Sequence, residues 1–388
     1  MPRKKSINVE VEPKVLKWVI ESSGWNKEEI IKRLKISSNV IDGWISGEIK
    51  PTLKQLDDLA KTVKRPLAVF FLSKPQLEKP VPKDYRMIPG KEGKFDKKTI
   101  LAIRRARRLQ KISKELSENL NSDLNKLIPT ITLSEDPKSI AKRYRIEFKF
   151  DEETQKKLRT PYEVFNFLRD FIEDKNIIIF QIPMPIEDAR GFTLVDDSPG
   201  IIVINSKDQI EARIFTLMHE FGHVLLNESG VSMPENALFV KNTGNIEKWC
   251  NDFSSAFLLP ETLAREEFTQ NRGILTETKT LNKLSRIYKI SKAMLLYNMS
   301  NLSFISKSQY DAILERYRPE ILKPKEKAEK KGGFRPTADK QCLTERGQKF
   351  VSLVVNNVDK GFITHSDALN YLSIKAKNLD KVMSKVKK

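Results

Sequence analysis

From residue 11 to residue 73 apolar side chains recur every three or four positions, with none of the strict alternation that marks a strand. Val15, Leu16, Val19 and Ile20 make the inner stripe of a first helix. Asn26 stands where it can cap a second, which carries Ile30, Ile31 and Leu34. A short turn at Lys35-Ile36-Ser37 leads into a helix over 38–46 with Val40, Ile41 and Trp44 inward, and Gly47 stops it. Pro51-Thr52 opens a fourth helix with Leu53, Leu56, Leu59 and Ala60, and Pro66-Leu-Ala-Val-Phe-Phe-Leu72 closes the unit. Prolines and glycines then crowd residues 74–96, which predicts a linker or an extended strap. Helical spacing returns from 97 to about 175. Between 176 and 205 the period changes, and Asn176 to Ile182, Gly191 to Val195 and Gly200 to Asn205 read as three short β-runs. A long helix follows over about 207–227, burying Ile210, Ile214, Leu217, Met218, Phe221 and Leu225, with further helices expected at 246–258, 260–270, 278–301 and 308–317. Residues 323–338 mix Lys and Arg with Pro324, Gly332, Gly333 and Pro336, the pattern of a basic tether. Helical periodicity then resumes through Phe350, Val351, Leu353, Val354, Ala368, Leu369, Tyr371 and Leu372, with Thr364 or Ser366 beside Asp367 as a cap.

The fold class expected from this pattern is α+β and mostly helical. It has an all-α domain at 8–73, a linker at 74–96, a small-sheet domain at 97–322, a basic tether at 323–338 and a helical C-terminal module at 339–388. The length of 388 residues accommodates two to four such units. No apolar run reaches the roughly 18–20 residues of a membrane span. The opening Met1-Pro-Arg-Lys-Lys-Ser6 lacks the apolar stretch of a secretory signal, so a cytoplasmic protein without membrane contact is expected. Cys250 and Cys342 lie far apart with no CxxC, which excludes a disulfide framework and a cysteine-built zinc site. The net charge of +19, with Lys97, Lys98, Arg104, Arg105, Arg107, Arg108 and Lys111 on one helix, is compatible with a polyanion partner. Charge alone does not choose among polyanions.

The chemistry is concentrated in His219-Glu220-Phe221-Gly222-His223, an HExxH sequence inside the long helix that uses two of the chain's three histidines. Spacing of i, i+4 brings both imidazoles to one helical face, where they can chelate one ion, and zinc suits neutral imidazole nitrogen. Glu220 then lies where it can take a proton from a water at the metal. A catalytic zinc needs a third protein ligand. His365 lies beyond the tether and fits a helix start better, so an acidic ligand from a following helix is favoured. Glu247 shares a helical face with Asn251, which would support a ligand from behind. Asp252 and Glu235 remain rival ligands at this stage.

Residues from about 177 to 262 resemble the ImmA/IrrE family of zinc metallopeptidases. The resemblance rests on Arg190-Gly191-Phe192, Val203 to Asn205, His219 to His223, and the run from Glu247 through Asn251 and Phe253 to Leu258-Leu259-Pro260. It implies a zincin-like domain in which His219, His223 and Glu247 bind Zn2+ and Glu220 is the general base. Cys250 stands where that family usually has alanine and adds a thiol near the site. The N-terminal unit resembles phage-repressor-type helix-turn-helix domains, in particular those fused to ImmA/IrrE peptidases. That likeness is carried by Leu16-Lys-Trp18, Trp44 and Gly47, Pro51-Thr52, Gln55-Leu56, Leu59-Ala60 and Pro66 to Phe71. It implies double-stranded DNA as a partner, read by the exposed Ser38, Asn39, Asp42 and Lys50, and a homodimer as the default assembly.

The function expected is therefore a DNA-binding transcriptional regulator with a zinc-dependent endopeptidase domain of the gluzincin type. Its protein substrate would be a repressor, a stress- or phage-response regulator, or a toxin–antitoxin partner. The alternative is a non-catalytic regulator or antitoxin-like protein that uses the zinc fold as a sensor or interaction module. A third reading is a peptidase whose helical N-terminal domain binds protein and never DNA. Tyr288, Tyr297 and Arg213 are candidates to stabilise the oxyanion of peptide hydrolysis. The segment 227–245, with Gly230 and Gly244, is a candidate lid over the metal.

Overall fold

A computed structural model describes residues 7–76, 78–84, 93–125, 128–232, 244–321 and 336–386. The chain divides into two compact units, Met1–Val81 with Lys94–Arg104 and Pro82–Gly93 with Arg105–Lys388.

In the first unit, α1 (Pro13–Glu21), α2 (Lys27–Leu34), α3 (Ser38–Ser46) and α4 (Leu53–Val63) enclose Val15, Val19, Ile30, Ile41, Trp44, Leu56 and Leu59. The helix boundaries have local causes. The Asn26 side chain accepts from the Glu29 amide at 2.7 Å while the Glu29 carboxylate accepts from the Asn26 amide at 3.3 Å, a reciprocal cap that Thr52 and Gln55 repeat on α4. Lys35, with φ 55°, ends α2 and turns the chain toward α3, and Gly47, with φ 85°, ends α3. The buried Arg65 guanidinium stacks on Trp18 at 4.3 Å and pairs with Glu78 at 2.7 Å, so part of the expected linker packs against this unit.

The second unit is built on a sheet with the strand order β1-β5-β3-β4-β2 among the described residues. The strands are β1 (Lys83–Asp84), β2 (Ile177–Ile182), β3 (Gly191–Leu194), β4 (Gly200–Asn205) and β5 (Gly230–Ser232). β2 runs parallel to β4 and β1 parallel to β5, whereas β3 is antiparallel to both β4 and β5. The helices that follow α4 in the chain are α5 (Lys97–Asn119), α6 (Pro137–Glu147), α7 (Glu152–Lys157), α8 (Pro161–Asp174), α9 (Ile210–Leu225) and α10 (Asn245–Leu258). After them come α11 (Glu261–Gln270), α12 (Thr278–Tyr288), α13 (Lys292–Asn301), α14 (Lys307–Ile321), α15 (Ala338–Arg346), α16 (Gln348–Asp359), α17 (His365–Leu372) and α18 (Leu379–Val386). Every residue of α9 except Glu211 is buried, because the helix lies between β3 and β4 on one side and α8 and α10 on the other. Gly222 permits the close α9–α10 approach: a Cβ there would stand 3.1 Å from Cys250 Sγ and 3.4 Å from its Cα.

Four features differ from the pattern-based expectation. The helix expected as one piece over 278–301 is two, because Lys289 takes a φ of 54° and Ser291 caps α13. The Lys289 ammonium donates to the Gln155 carbonyl at 3.0 Å, a tertiary contact that the local pattern does not contain. The basic helix α5 does not begin a domain, since its residues to Arg104 belong to the first unit and the rest to the second. Many of its cations are also engaged within the chain: Lys97 with Glu29 at 3.0 Å, Arg104 with the Lys64 carbonyl at 3.3 Å, and Arg107 with Asp196. The C-terminal helices form no separate module. The Thr344 carbonyl accepts from Arg169 at 2.8 Å and from Gln181 at 2.9 Å, and Phe350 packs edge-on against Phe180 at 5.3 Å. Finally, the expected linker contributes β1 to the sheet. Of the tether expected at 323–338, only residues 336–338 fall within the described residues. Among the described residues no helix is long and apolar enough to cross a membrane.

Candidate metal centre

The HExxH spacing places His219 and His223 one turn apart on α9, with their Nε2 atoms 3.2 Å apart. From α10, Glu247 brings Oε1 to 3.0 Å from His223 Nε2 and Oε2 to 3.3 Å from His219 Nε2. One donor atom from each of the three lies within 4.8 Å of the others, and all three residues are buried. Behind them, the Asn251 side-chain carbonyl lies 2.9 Å from His219 Nδ1. With an acceptor at that distance Nδ1 carries the proton, so the bare Nε2 lone pair faces the cluster.

The donor set fits a zinc-sized cation. Two imidazole nitrogens facing each other at 3.2 Å repel unless a proton or a cation stands between them. Glu247 Oε2 is buried without a hydrogen bond, a costly state that a cation at this point would relieve. A zinc ion about 2.0–2.1 Å from each of two nitrogens would hold them about 3.3–3.4 Å apart at the tetrahedral angle, close to the 3.2 Å between His219 and His223. Burial alone would raise the Glu247 carboxyl, but His219 and His223 outweigh it and hold it down at about 2.

Glu220 lies beside these donors, against the face of the sheet that carries Thr193. The Thr193 hydroxyl of β3 donates to its Oε2 at 2.7 Å, and Oε1 has no hydrogen-bond partner. Burial, helped by the neighbouring Glu247 charge, pushes this carboxyl up to about 7, against the pull of His223 and of the Thr193 and Ser232 hydroxyls. Gly191, two residues before Thr193 on the same strand face, leaves room for it: a Cβ there would lie 2.9 Å from Glu220 Oε1 and 2.7 Å from Thr216 Cγ2. On β5, Ser232 Oγ lies 3.2 Å from His223 Nε2 and 3.4 Å from Glu247 Oε1. The sequence motifs did not single out Thr193 or Ser232. Period-2 alternation puts Gly191 and Thr193 on one face, but nothing local says that this face meets Glu220.

The rival ligands lie elsewhere. Asp252 is on another face of α10, paired with Lys248 at 2.7 Å and accepting from the Tyr297 hydroxyl at 2.7 Å. Cys250 is packed on Gly222, where burial pushes its thiol well up, and it is not among the converging donors. His365 begins α17. Glu235 and most of the candidate lid, residues 233–243, lie outside the described residues. The three oxyanion candidates are engaged in other contacts: Tyr288 donates to Glu267 at 2.6 Å, Tyr297 to Asp252, and Arg213 to Gln181 at 2.7 Å. The motif residues ahead of the helix prove to be a brace. Arg190 forms a buried pair with Asp208 at 2.8 Å, and the Asn205 amide donates to the Ala189 carbonyl at 2.8 Å.

Residues 172–300 match the family of IrrE N-terminal-like domains, Peptidase_M78. The Peptidase_M78 match spans the sheet from β2 to β5, the HExxH helix and Glu247, and it supports a metallopeptidase. The helices before residue 172 and those after 300 lie outside it. No curated protein and no solved structure matches the chain.

In the first unit the four candidate DNA contacts are all exposed. Ser38 and Asn39 open α3. Asp42 accepts from Ser38 at 3.2 Å and pairs with Lys27 of α2, and Lys50 pairs with Glu10 at 2.5 Å.

Proposed function

We propose that the chain is a zinc-dependent endopeptidase of the HExxH-plus-Glu type, with His219, His223 and Glu247 as ligands and Glu220 as general base. The observation that carries this reading is the convergence of three buried donors beside a fourth buried group, Glu220, held by Thr193. A zinc ion held by these residues would supply a water of lowered pKa and polarise the scissile carbonyl. Glu220 takes the proton of the attacking water on the oxygen that Thr193 leaves free and delivers it to the departing amine. Asn251 keeps His219 in the tautomer that presents Nε2. A scaffolding or sensing metal has no use for a buried, unpaired carboxylate oxygen at this position, which weighs against the non-catalytic reading.

The first unit is read as a helix-turn-helix that docks α3 on double-stranded DNA as part of a homodimer, so that cleavage of a protein partner is tied to transcription. Supporting this are the exposed polar start of α3 and the Lys27 partner of Asp42, which offsets the one carboxylate on that face. The net charge of +19 favours phosphate contact as well.

The deciding experiment is metal analysis of the purified protein beside His219→Ala, Glu247→Ala and Glu220→Gln. About one zinc per chain in the wild type and in Glu220→Gln, and none in the other two, is expected. Wild-type protein that takes up no zinc after reconstitution would remove the peptidase reading. DNA affinity that is equal for all sequences and vanishes at physiological salt would remove the regulator half.

A further inference from the structure

We propose that Ser232 is a fourth donor of the metal centre and holds it closed at rest, an inference that builds on the metal reading above. His219 Nε2 and His223 Nε2 stand 3.2 Å apart, Glu247 Oε1 lies 3.0 Å from His223 Nε2, and the other carboxylate oxygen, Oε2, lies 3.3 Å from His219 Nε2. Ser232 Oγ adds two further edges, 3.2 Å to His223 Nε2 and 3.4 Å to Glu247 Oε1. With Glu247 Oε1 as the carboxylate donor, the three distances from His223 Nε2 and the one from Ser232 Oγ to Oε1 all lie near the edge of about 3.3–3.4 Å expected for donors around one zinc ion.

The sheet register fixes the side on which Ser232 projects, and χ1 alone sets where on that side its hydroxyl lies. Ser232 is fully buried and sits opposite Gly191 in the antiparallel β3–β5 ladder, where its carbonyl accepts from the Arg190 amide at 3.2 Å. Gly191 in turn is the residue that leaves room for Glu220. One cross-strand pair thus places the serine on the metal side and the proton acceptor beside it.

A catalytic zinc site keeps one position open. Here that position holds a neutral hydroxyl, a weak donor, and a single χ1 step would withdraw it. The site is accordingly latent until the Ser232 side chain turns away.

The test uses the full chain loaded with cobalt(II) in place of zinc, comparing wild type, Ser232→Cys and Ser232→Ala. With a cysteine at the fourth vertex a near-ultraviolet thiolate-to-cobalt band should appear that the wild type lacks, since Cys250 is not among the converging donors. Azide should perturb the visible cobalt bands of Ser232→Ala at a concentration at least about tenfold lower than in the wild type, because no protein donor competes for the vertex. A fully loaded Ser232→Cys without the band, or equal azide response in wild type and Ser232→Ala, would overturn the proposal while leaving the three-ligand site intact. Failure of the wild type to bind cobalt or zinc at all would overturn the metal reading and this inference with it.

Discussion

Replacing Asn251 by alanine tests the site without needing a substrate. The His219 Nδ1 proton rests on the Asn251 carbonyl at 2.9 Å, and both residues are buried. Alanine leaves that proton without an acceptor, a cost of about 1–3 kcal/mol to the metal-free fold. The imidazole is then free to change tautomer or orientation, and loss of such a supporting partner typically weakens metal binding about 10–100-fold. At about 1.4 kcal/mol per decade this is about 1.4–2.8 kcal/mol. It should appear twice: in the zinc Kd, by competition with a chromophoric chelator, and as the same amount missing from zinc-induced stabilisation against urea. Asn251→Asp keeps an acceptor in place and should bind zinc at least as tightly as the wild type, while its metal-free form loses stability through the added charge near Glu247. A folded Asn251→Ala protein whose zinc Kd lies within threefold of the wild type would show that the Asn251 contact does not orient His219.

Three further outcomes can be checked on the purified protein. Gly191→Ala should cost about 1–3 kcal/mol in urea unfolding by crowding Glu220 and Thr216, and part of that cost should vanish in the Glu220→Ala background; additivity within about 0.3 kcal/mol would refute the contact. Glu220 has a raised carboxyl pKa, about 7 against the ordinary 4.5, so its contribution to the metal-free fold is complete below about pH 4.5 and is lost as pH rises through 7. The metal-free wild type should therefore lose about 2–3 kcal/mol between pH 5 and pH 8 relative to Glu220→Gln, and parallel pH profiles of the two would sink the assignment. Gly347→Ala should lower stability by about 2–4 kcal/mol and the Tm by roughly 3–6 °C, because φ 81° with ψ 153° is almost closed to side chains and a Cβ would stand 3.0 Å from the Ile179 carbonyl. A Tm within 2 °C of the wild type would mean that the α15–α16 junction does not dock on β2 as described.

Much of the candidate centre was legible in the chain because its geometry is local. An i, i+4 pair on a helix converges whatever surrounds it, and Glu247 and Asn251 share a face of α10 by the same periodicity. Helix ends marked by Asn26, Gly47, Thr52 and Thr364 were readable too, since a cap is a contact between residues two or three apart. Resemblance then favoured Glu247 over Asp252, a choice that spacing left open. The fold shows the reason for the difference: Asp252, one residue round the helix from Asn251, faces Lys248 and Tyr297.

What needed the tertiary structure were the contacts made across the chain. Thr193 and Ser232 meet the HExxH helix only because β3 and β5 pair in one register, and a shift of one residue would turn both side chains to the opposite face. The break at Lys289 is stabilised by carbonyls more than 130 residues earlier, and the C-terminal helices lose their independence to Arg169 and Gln181. The sequence by itself determined which residues stand as candidate donors and which helices present them, because each helix's period decides which of its side chains share a face. Only the folded chain decided what supports them, because burial, register and long-range hydrogen bonds arise when distant segments share one core.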